Sequence, residues 1–137
     1  MSTDIRPELS KHSKYWIPKH RYYELKHFVM QFPYWKDQIL ATDSLVRSKL
    51  DKNGKLNDIP DPVGRAVELR TRYQHYIDIC HDAAEKTDDK IGPSIWLAVI
   101  HGYSYETVKA RLEIPCGREM YYELYRKFFW LLDNTRN

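Results

Sequence analysis

Apolar side chains recur at helical spacing through the middle of the chain. Between residues 61 and 87 they lie mainly three or four positions apart, which places them on one side of a helix. These positions are Ala66, Leu69, Tyr73, Tyr76, Ile77, Cys80 and Ala84. Asp61 suits the N-cap of such a helix and Pro62 its first turn. The pattern therefore predicts one long helix that begins at this Asp-Pro step.

Two shorter helices are predicted before it, over residues 18–31 and 34–49. Pro33 separates them, because proline lacks an N–H and crowds the preceding turn. The inward positions expected for the first helix are Tyr22, Leu25, Phe28 and Val29, and those for the second are Trp35, Ile39, Leu40 and Val46. Residues 51–61 have the composition of a loop. No segment shows the sustained alternation of a strand, which favours an all-α fold.

The last third of the chain has the layout of a helix-turn-helix. The predicted parts are helices over 91–101, 105–112 and 118–133, with a turn over 113–117. Gly102 ends the first helix, Ser104 caps the second, and Ile114 is the apolar residue that anchors the turn. A short helix, a tight turn and a longer helix is the arrangement that presents its third element to the DNA major groove. We therefore expect a helical hairpin and a long helix packed with a C-terminal helix-turn-helix.

A helical wheel divides the third helix of this motif into two faces. The expected core residues are Met120, Tyr121, Leu124, Phe128, Leu131 and Leu132. The opposite face carries Glu119, Tyr122, Glu123, Arg126, Lys127 and Trp130. Its mixed charge argues against dense phosphate contact through this helix alone. The candidate DNA-binding residues are Arg118, Glu119, Tyr122, Arg126, Lys109 and Lys127, and the carboxylate of Glu119 could accept from a cytosine amine. The plainer interpretation makes each of them a solvated surface residue.

A second basic patch lies near the N-terminus. It consists of Lys11, Lys14, Lys19, Arg21 and Lys26, interleaved with Tyr15, Trp16, Tyr22 and Tyr23. Cations mixed with aromatic rings suit phosphate contact or base stacking. Alternatively, the aromatic rings anchor an N-terminal arm onto the core and the lysines stay solvated.

Composition limits the class of protein. The 137 residues suit one compact domain, with an arm over 1–17, a helical region over 18–87 and the helix-turn-helix region over 88–137. Aromatic residues make up 14% of the chain, which argues against disorder. The net charge of +3 is compatible with an anionic partner. The two cysteines suit reduced thiols, and no apolar run predicts a membrane span or a signal peptide, so we expect a cytoplasmic protein.

Catalytic and metal-binding chemistry find little support. The six histidines are scattered, and no pair joins cysteines at zinc-finger spacing. There is no glycine-rich phosphate loop and no nucleophile elbow. We expect no enzymatic activity, no metal and no cofactor.

Three blocks of sequence resemble a known family. They run from Tyr22 to Lys36, from Asp61 to Ala66, and from Gly102 to Phe129. In these blocks the chain resembles the RinA/ArpU group of late-gene transcription regulators of phages and prophages, and the third block is similar to the helix-turn-helix of sigma-factor region 4. The resemblance implies promoter DNA binding in a bacterial host cell, with possible contact to RNA polymerase.

A different class of function also fits the sequence. The mixed charge of the third helix, with Tyr122 and Trp130 as potential interface anchors, suits a phage protein-interaction module. Such a module could inhibit a host factor, as anti-CRISPR proteins do, or act as an adaptor like a small terminase subunit. A homodimer is compatible with either class, because half-site recognition is common for helix-turn-helix proteins.

Overall fold

The computed structural model describes residues 13–50 and 61–136, and the regular elements in these two segments are α-helices. They are α1 (Lys19–Val29), α2 (Phe32–Ser48), α3 (Asp61–Thr87), α4 (Gly92–His101), α5 (Tyr105–Leu112) and α6 (Arg118–Arg136). The predicted all-α class is confirmed. Most of the predicted loop lies outside the described residues. Within them, no helix combines the length and the apolar character that a bilayer crossing requires.

The chain divides into two compact units, and α3 runs from one into the other. The first unit contains the described residues up to Gln31 and those from Ile79 onward, and the second contains Phe32–Asp78. The division predicted from the sequence, at residues 17 and 87, stays a prediction. Each unit has its own buried side chains.

The first unit is built around α6. Helices α1 and α4 both pack against α6 and against each other, and α5 packs against α4. The buried stripe of α6 consists of Tyr121, Tyr122, Tyr125, Phe128, Phe129 and Leu132. The end of α3 adds Cys80, whose thiol pKa is raised to about 12 by burial. Neither this thiol nor the buried Cys116 forms a disulfide.

The predicted wheel of α6 is wrong at two positions. Met120, expected in the core, is 54% exposed, whereas Tyr122, expected on the solvent face, is only 4% exposed. The centre of the buried stripe is rotated by roughly 75° from the predicted one, which is less than the 100° between successive residues. The cause is the use of tyrosine as a core residue, because a tyrosine ring can be buried when its hydroxyl group has a polar neighbour.

A tight turn joins α3 to α4 within the first unit. A carboxylate oxygen of Asp88 accepts hydrogen bonds from the backbone N–H groups of Lys90 at 2.9 Å and Ile91 at 2.8 Å. At the first residue of α4, Gly92 lies so close to α3 that an added Cβ would be 1.8 Å from the carbonyl oxygen of Ala84. The crossing of these two helix ends therefore requires glycine at this position.

The second unit pairs α2 with the first part of α3. The rings of Trp35 and Tyr76 lie 5.3 Å apart, and those of Tyr34 and Tyr73 lie 5.8 Å apart. An ion pair between the helices adds to these contacts, with Arg70 donating to the two carboxylate oxygens of Asp43 at 2.7 and 3.2 Å. This hydrogen-bonded guanidinium lowers the pKa of Asp43.

Two apolar side chains of this unit are exposed, although the sequence predicts that they face inward. Leu40 is 58% exposed and Leu69 is 41% exposed, while Trp35 and Ile39 are buried. A pair of helices buries only a narrow stripe of each, and Leu40 is turned about 100° from Ile39.

Candidate nucleic-acid interface

The helix-turn-helix layout predicted from the sequence is present in the first unit. The Ser104 hydroxyl accepts a hydrogen bond from the backbone N–H of Thr107 at 3.3 Å, which caps α5. Gly102 adopts a left-handed conformation with φ of 70°, and so does Glu113 with φ of 50°. Ile114 is buried in the turn before α6. These features fix where α5 begins and where the chain turns into α6.

Tyrosine side chains hold α5 against the start of α6. The hydroxyl of Tyr105 donates to the carbonyl oxygen of Cys116 at 2.9 Å, and its backbone N–H donates to the hydroxyl of Tyr122 at 3.4 Å. The rings of Tyr105 and Tyr121 lie 5.4 Å apart. Burial raises the pKa of the Cys116 thiol, which keeps that side chain neutral. The orientation of α6 is therefore set by buried contacts.

The first half of α6 carries an open surface depression of about 420 Å³. It is lined by Arg118, Glu119, Tyr122, Glu123 and Arg126. Four of the six predicted DNA-binding residues thus come together here, and the ring of Tyr122 contributes as a wall rather than as an exposed contact. Two guanidinium groups, two carboxylates and one aromatic ring share this surface.

Arg118 is exposed but already has neighbours. Its guanidinium forms an ion pair with Glu106 of α5 and lies 5.3 Å from the ring centroid of Tyr122. The pKa of Glu106 is lowered, chiefly by its own backbone N–H and also by the positive charge of Arg118. Arg118 could therefore contact DNA only by breaking its ion pair with Glu106 or by keeping that ion pair beside the DNA contact.

Arg126 sits deeper in the depression. Its side chain is 15% exposed, and one guanidinium nitrogen is 3.5 Å from a carboxylate oxygen of Glu123. Its buried Nε–H has no hydrogen-bond partner among the described residues. Glu123 also accepts a hydrogen bond from Ser13 at 2.9 Å. Arg126 therefore lines the depression with only a small part of its side chain exposed.

The other two predicted contacts lie outside this depression. Lys109 is exposed on α5, and its ammonium lies 6.0 Å from the centroid of the Tyr105 ring. Lys127 is half-buried on α6, where its charge contributes to the lowered pKa of Asp88. Neither cation has an ion pair within the described residues.

The N-terminal basic patch is only partly a free surface. Lys11 lies outside the described residues, whereas Lys14 and Lys19 are exposed. Arg21 forms an ion pair with Asp133 of α6, and the Lys26 ammonium lies 6.0 Å from both the Tyr22 and the Tyr23 ring centroids.

An aromatic contact ties the described part of the arm to α6. The ring of Tyr15 meets Trp130 edge to face, with centroids 5.4 Å apart. This contact favours the anchoring interpretation of the arm. It also means that Trp130, which is half-buried, is not the free interface anchor expected from the wheel.

Sequence reasoning missed a cluster at the corner between α4 and α5. His101 stacks on Tyr103 with ring centroids 5.1 Å apart and planes 23° apart. The guanidinium of Arg111 lies 5.3 Å from the centroid of the same Tyr103 ring. The available signal was the polar, exposed end of α5, but only the fold shows that Tyr103 and Arg111 meet.

Within the described residues, no group of three or more histidine, cysteine, aspartate or glutamate side chains is arranged to hold a metal ion. No protein-family profile matches the chain, and no similar curated protein or solved structure was found.

Proposed function

We propose that this protein is a phage or prophage DNA-binding transcription regulator that inserts the first half of α6 into the DNA major groove. The observation that carries the proposal is the helix-turn-helix in which Arg118, Glu119 and Arg126 surround one open depression on α6. The N-terminal half of the last helix is the part of this motif that contacts base edges. The proposal is supported by the presence of hydrogen-bond donors and acceptors on this half of α6.

The chemistry of the depression suits a base edge better than a bare phosphate. Arginine donates two hydrogen bonds to guanine O6 and N7, and a carboxylate accepts from the cytosine amine. Arg126 supplies a guanidinium that lines the depression, and Glu119 supplies an exposed carboxylate. A phosphate would instead be repelled by Glu119 and Glu123.

The carboxylates near Arg118 and Arg126 also limit the affinity expected for DNA. Because Arg118 is paired with Glu106, its transfer to DNA costs an existing ion pair. We therefore expect modest affinity for duplex DNA of arbitrary sequence and a larger contribution from sequence-specific contacts. That affinity should fall as salt rises, since each neutralised phosphate releases condensed counterions.

Fluorescence anisotropy with labelled phage promoter duplexes at two salt concentrations tests the proposal. The expected result is binding at low salt that weakens at higher salt, and a loss of about tenfold for Arg126→Gln. Lys86→Gln removes the same charge from an exposed residue of α3 that is paired with Asp82, and should leave binding nearly unchanged. The absence of binding by the unaltered protein at low salt would contradict the proposal.

The proposal also includes regulation of transcription and contact with RNA polymerase. They are supported by the resemblance of the third sequence block to sigma-factor region 4, and the phage origin is supported by all three blocks. A promoter-driven transcription assay with and without the protein would test this part separately from DNA binding.

A second candidate function is protein interaction, with a second copy of the chain as the first partner to test. It is favoured by the exposed apolar side chains of the second unit, including Tyr34, Leu40 and Leu69. Sedimentation velocity should then show a dimer that Leu40→Glu dissociates. A monomer at all concentrations would leave this candidate without support.

A further inference from the structure

We propose that the corner between α4 and α5 is a DNA phosphate-contact site in which tyrosine rings hold Lys109 and Arg111 ready for phosphodiester oxygens. This inference rests on the proposed function and assigns it a second surface, separate from the depression on α6. Among these residues, only Lys109 was expected from the sequence to contact DNA.

The cations of this corner share one arrangement. Arg111 lies 5.3 Å from the centroid of the Tyr103 ring, and Lys109 lies 6.0 Å from that of the Tyr105 ring. An aromatic face attracts a cation through its quadrupole, so each ring restrains its cation without supplying a negative charge. The positive charge of both side chains consequently remains available to an outside anion.

Arg118 differs from Lys109 and Arg111 because a carboxylate neutralises its charge. Arg118 also lies over a tyrosine ring, but Glu106 compensates its charge. For Lys109 and Arg111, no ion-pair partner is found within the described residues. Each of these two cations is therefore held near an aromatic ring, and no carboxylate within the described residues neutralises its charge.

The geometry of Arg111 suits a phosphate in particular. A guanidinium donates in its own plane to two phosphate oxygens at once, and no carboxylate among the described residues pairs with that of Arg111. His101 stacks on the same tyrosine, and its imidazole adds an N–H donor to this corner. Both side chains are exposed, so a DNA strand could reach them.

The position of the corner fits the DNA complex proposed above. In a helix-turn-helix, the helix before the recognition helix crosses the DNA backbone while the recognition helix occupies the groove. Lys109 and Arg111 both belong to α5, the helix in that place. The corner would thus fix the position of the protein on DNA, while the depression on α6 reads bases.

The test measures the salt dependence of binding to two duplexes of unrelated sequence by anisotropy. Arg111→Gln should weaken binding to both duplexes about tenfold and reduce the slope of log K against log salt by about one. Tyr103→Leu, which removes the ring, should produce a smaller loss, and Tyr103→Phe should bind like the unaltered protein. Lys86→Gln serves as the matched charge control, and circular dichroism melts verify that each variant is folded.

The results of this test distinguish a failure of the corner site from a failure of DNA binding itself. If the unaltered protein binds DNA but Arg111→Gln keeps its affinity and salt slope, this inference is wrong and the proposed function stands. A loss confined to one sequence would also overturn it, because phosphate contacts carry no sequence information. If the unaltered protein binds no DNA and instead binds an acidic polypeptide such as polyglutamate, both the inference and the proposed function are wrong.

Discussion

The tyrosine residues around α6 differ in what their hydroxyl groups meet. The hydroxyl groups of Tyr125 and Tyr22 form a buried hydrogen bond of 2.8 Å, and that of Tyr122 accepts from a backbone N–H. The hydroxyl of Tyr121 is buried without a partner among the described residues, and burial raises its pKa. An unsatisfied buried hydroxyl costs free energy, so Tyr121 is a weak point of an otherwise well-packed core.

Replacing Tyr121 by phenylalanine should therefore not destabilise the protein. Removal of a buried hydroxyl without a partner is expected to leave the free energy of unfolding unchanged or to raise it by about 1 kcal/mol. Urea denaturation followed by circular dichroism measures the change. Tyr105→Phe is the matched control, because it removes a hydroxyl that donates to Cys116 and should lower stability by about 1 kcal/mol. Equal losses in the two variants would show that Tyr121 has a partner after all.

At the residue scale, tyrosine also explains the main error of sequence reasoning. Grouping α6 by leucine, methionine and phenylalanine placed Met120 inside and Tyr122 outside, whereas the structure has the reverse. A tyrosine ring carries enough apolar surface to be buried, and a partner for the hydroxyl of Tyr122 favours its burial. That partner, the backbone N–H of Tyr105, lies on another helix and is not visible in the local pattern.

At the scale of elements, the junction of α3 and α4 depends on a close backbone approach. The missing side chain of Gly92 leaves room for the carbonyl of Ala84, which would otherwise be 1.8 Å from a Cβ. Gly92→Ala should cost at least about 3 kcal/mol of stability, because neither partner of the clash is a flexible side-chain end. Gly117→Ala is the matched control, since its Cβ would meet nothing within 4 Å. Thermal melts of both variants check this, and similar melting temperatures would contradict the close approach.

The same junction makes part of the stability depend on pH. Two backbone N–H groups donate to the Asp88 carboxylate and hold its pKa below the usual 3.8. A lowered pKa stabilises the folded state above about pH 4, and this contribution is lost as the pH falls through the folded-state value. Asp88→Ala should therefore reduce stability by about 1 kcal/mol at pH 7 and by less at pH 3. Urea denaturation at both pH values would contradict this account if the loss were the same at each.

The limits of most helices were predictable because they depend on local chemistry. Ser104 and Gly102 mark the ends of α5 and α4 in the sequence as they do in the structure. The exposure of Leu40 was not predictable in the same way, because it depends on how much of α2 is covered by other elements. The proximity of Arg111 to the Tyr103 ring likewise depends on the path of the chain between two helices.

At the scale of the whole molecule, the net charge of +3 conceals an uneven distribution. The depression on α6 balances Arg118 and Arg126 against Glu119 and Glu123, whereas Arg111 at the neighbouring corner has no ion-pair partner within the described chain. Composition could predict compatibility with an anionic partner, but not which of these surfaces retains free positive charge.

The acidic side chains of the depression should restrain binding to DNA. Glu119→Gln removes an exposed negative charge, and we expect affinity for an arbitrary duplex to rise about fivefold at low salt, or roughly 1 kcal/mol. Glu68→Gln, an exposed carboxylate of the second unit, gives the same change of net charge at a control position. Anisotropy titrations compare the two variants, and an equal rise in both would show that only net charge matters.

The most direct test of DNA binding through α5 and α6 is an NMR titration of the labelled protein with a phage promoter duplex. The account predicts that backbone amide signals from His101 to Arg126 shift on binding, with the largest changes at Arg111 and around the depression on α6. Signals of Phe32–Asp78 should move little. An unchanged spectrum at low salt, or shifts confined to Phe32–Asp78, would contradict the account.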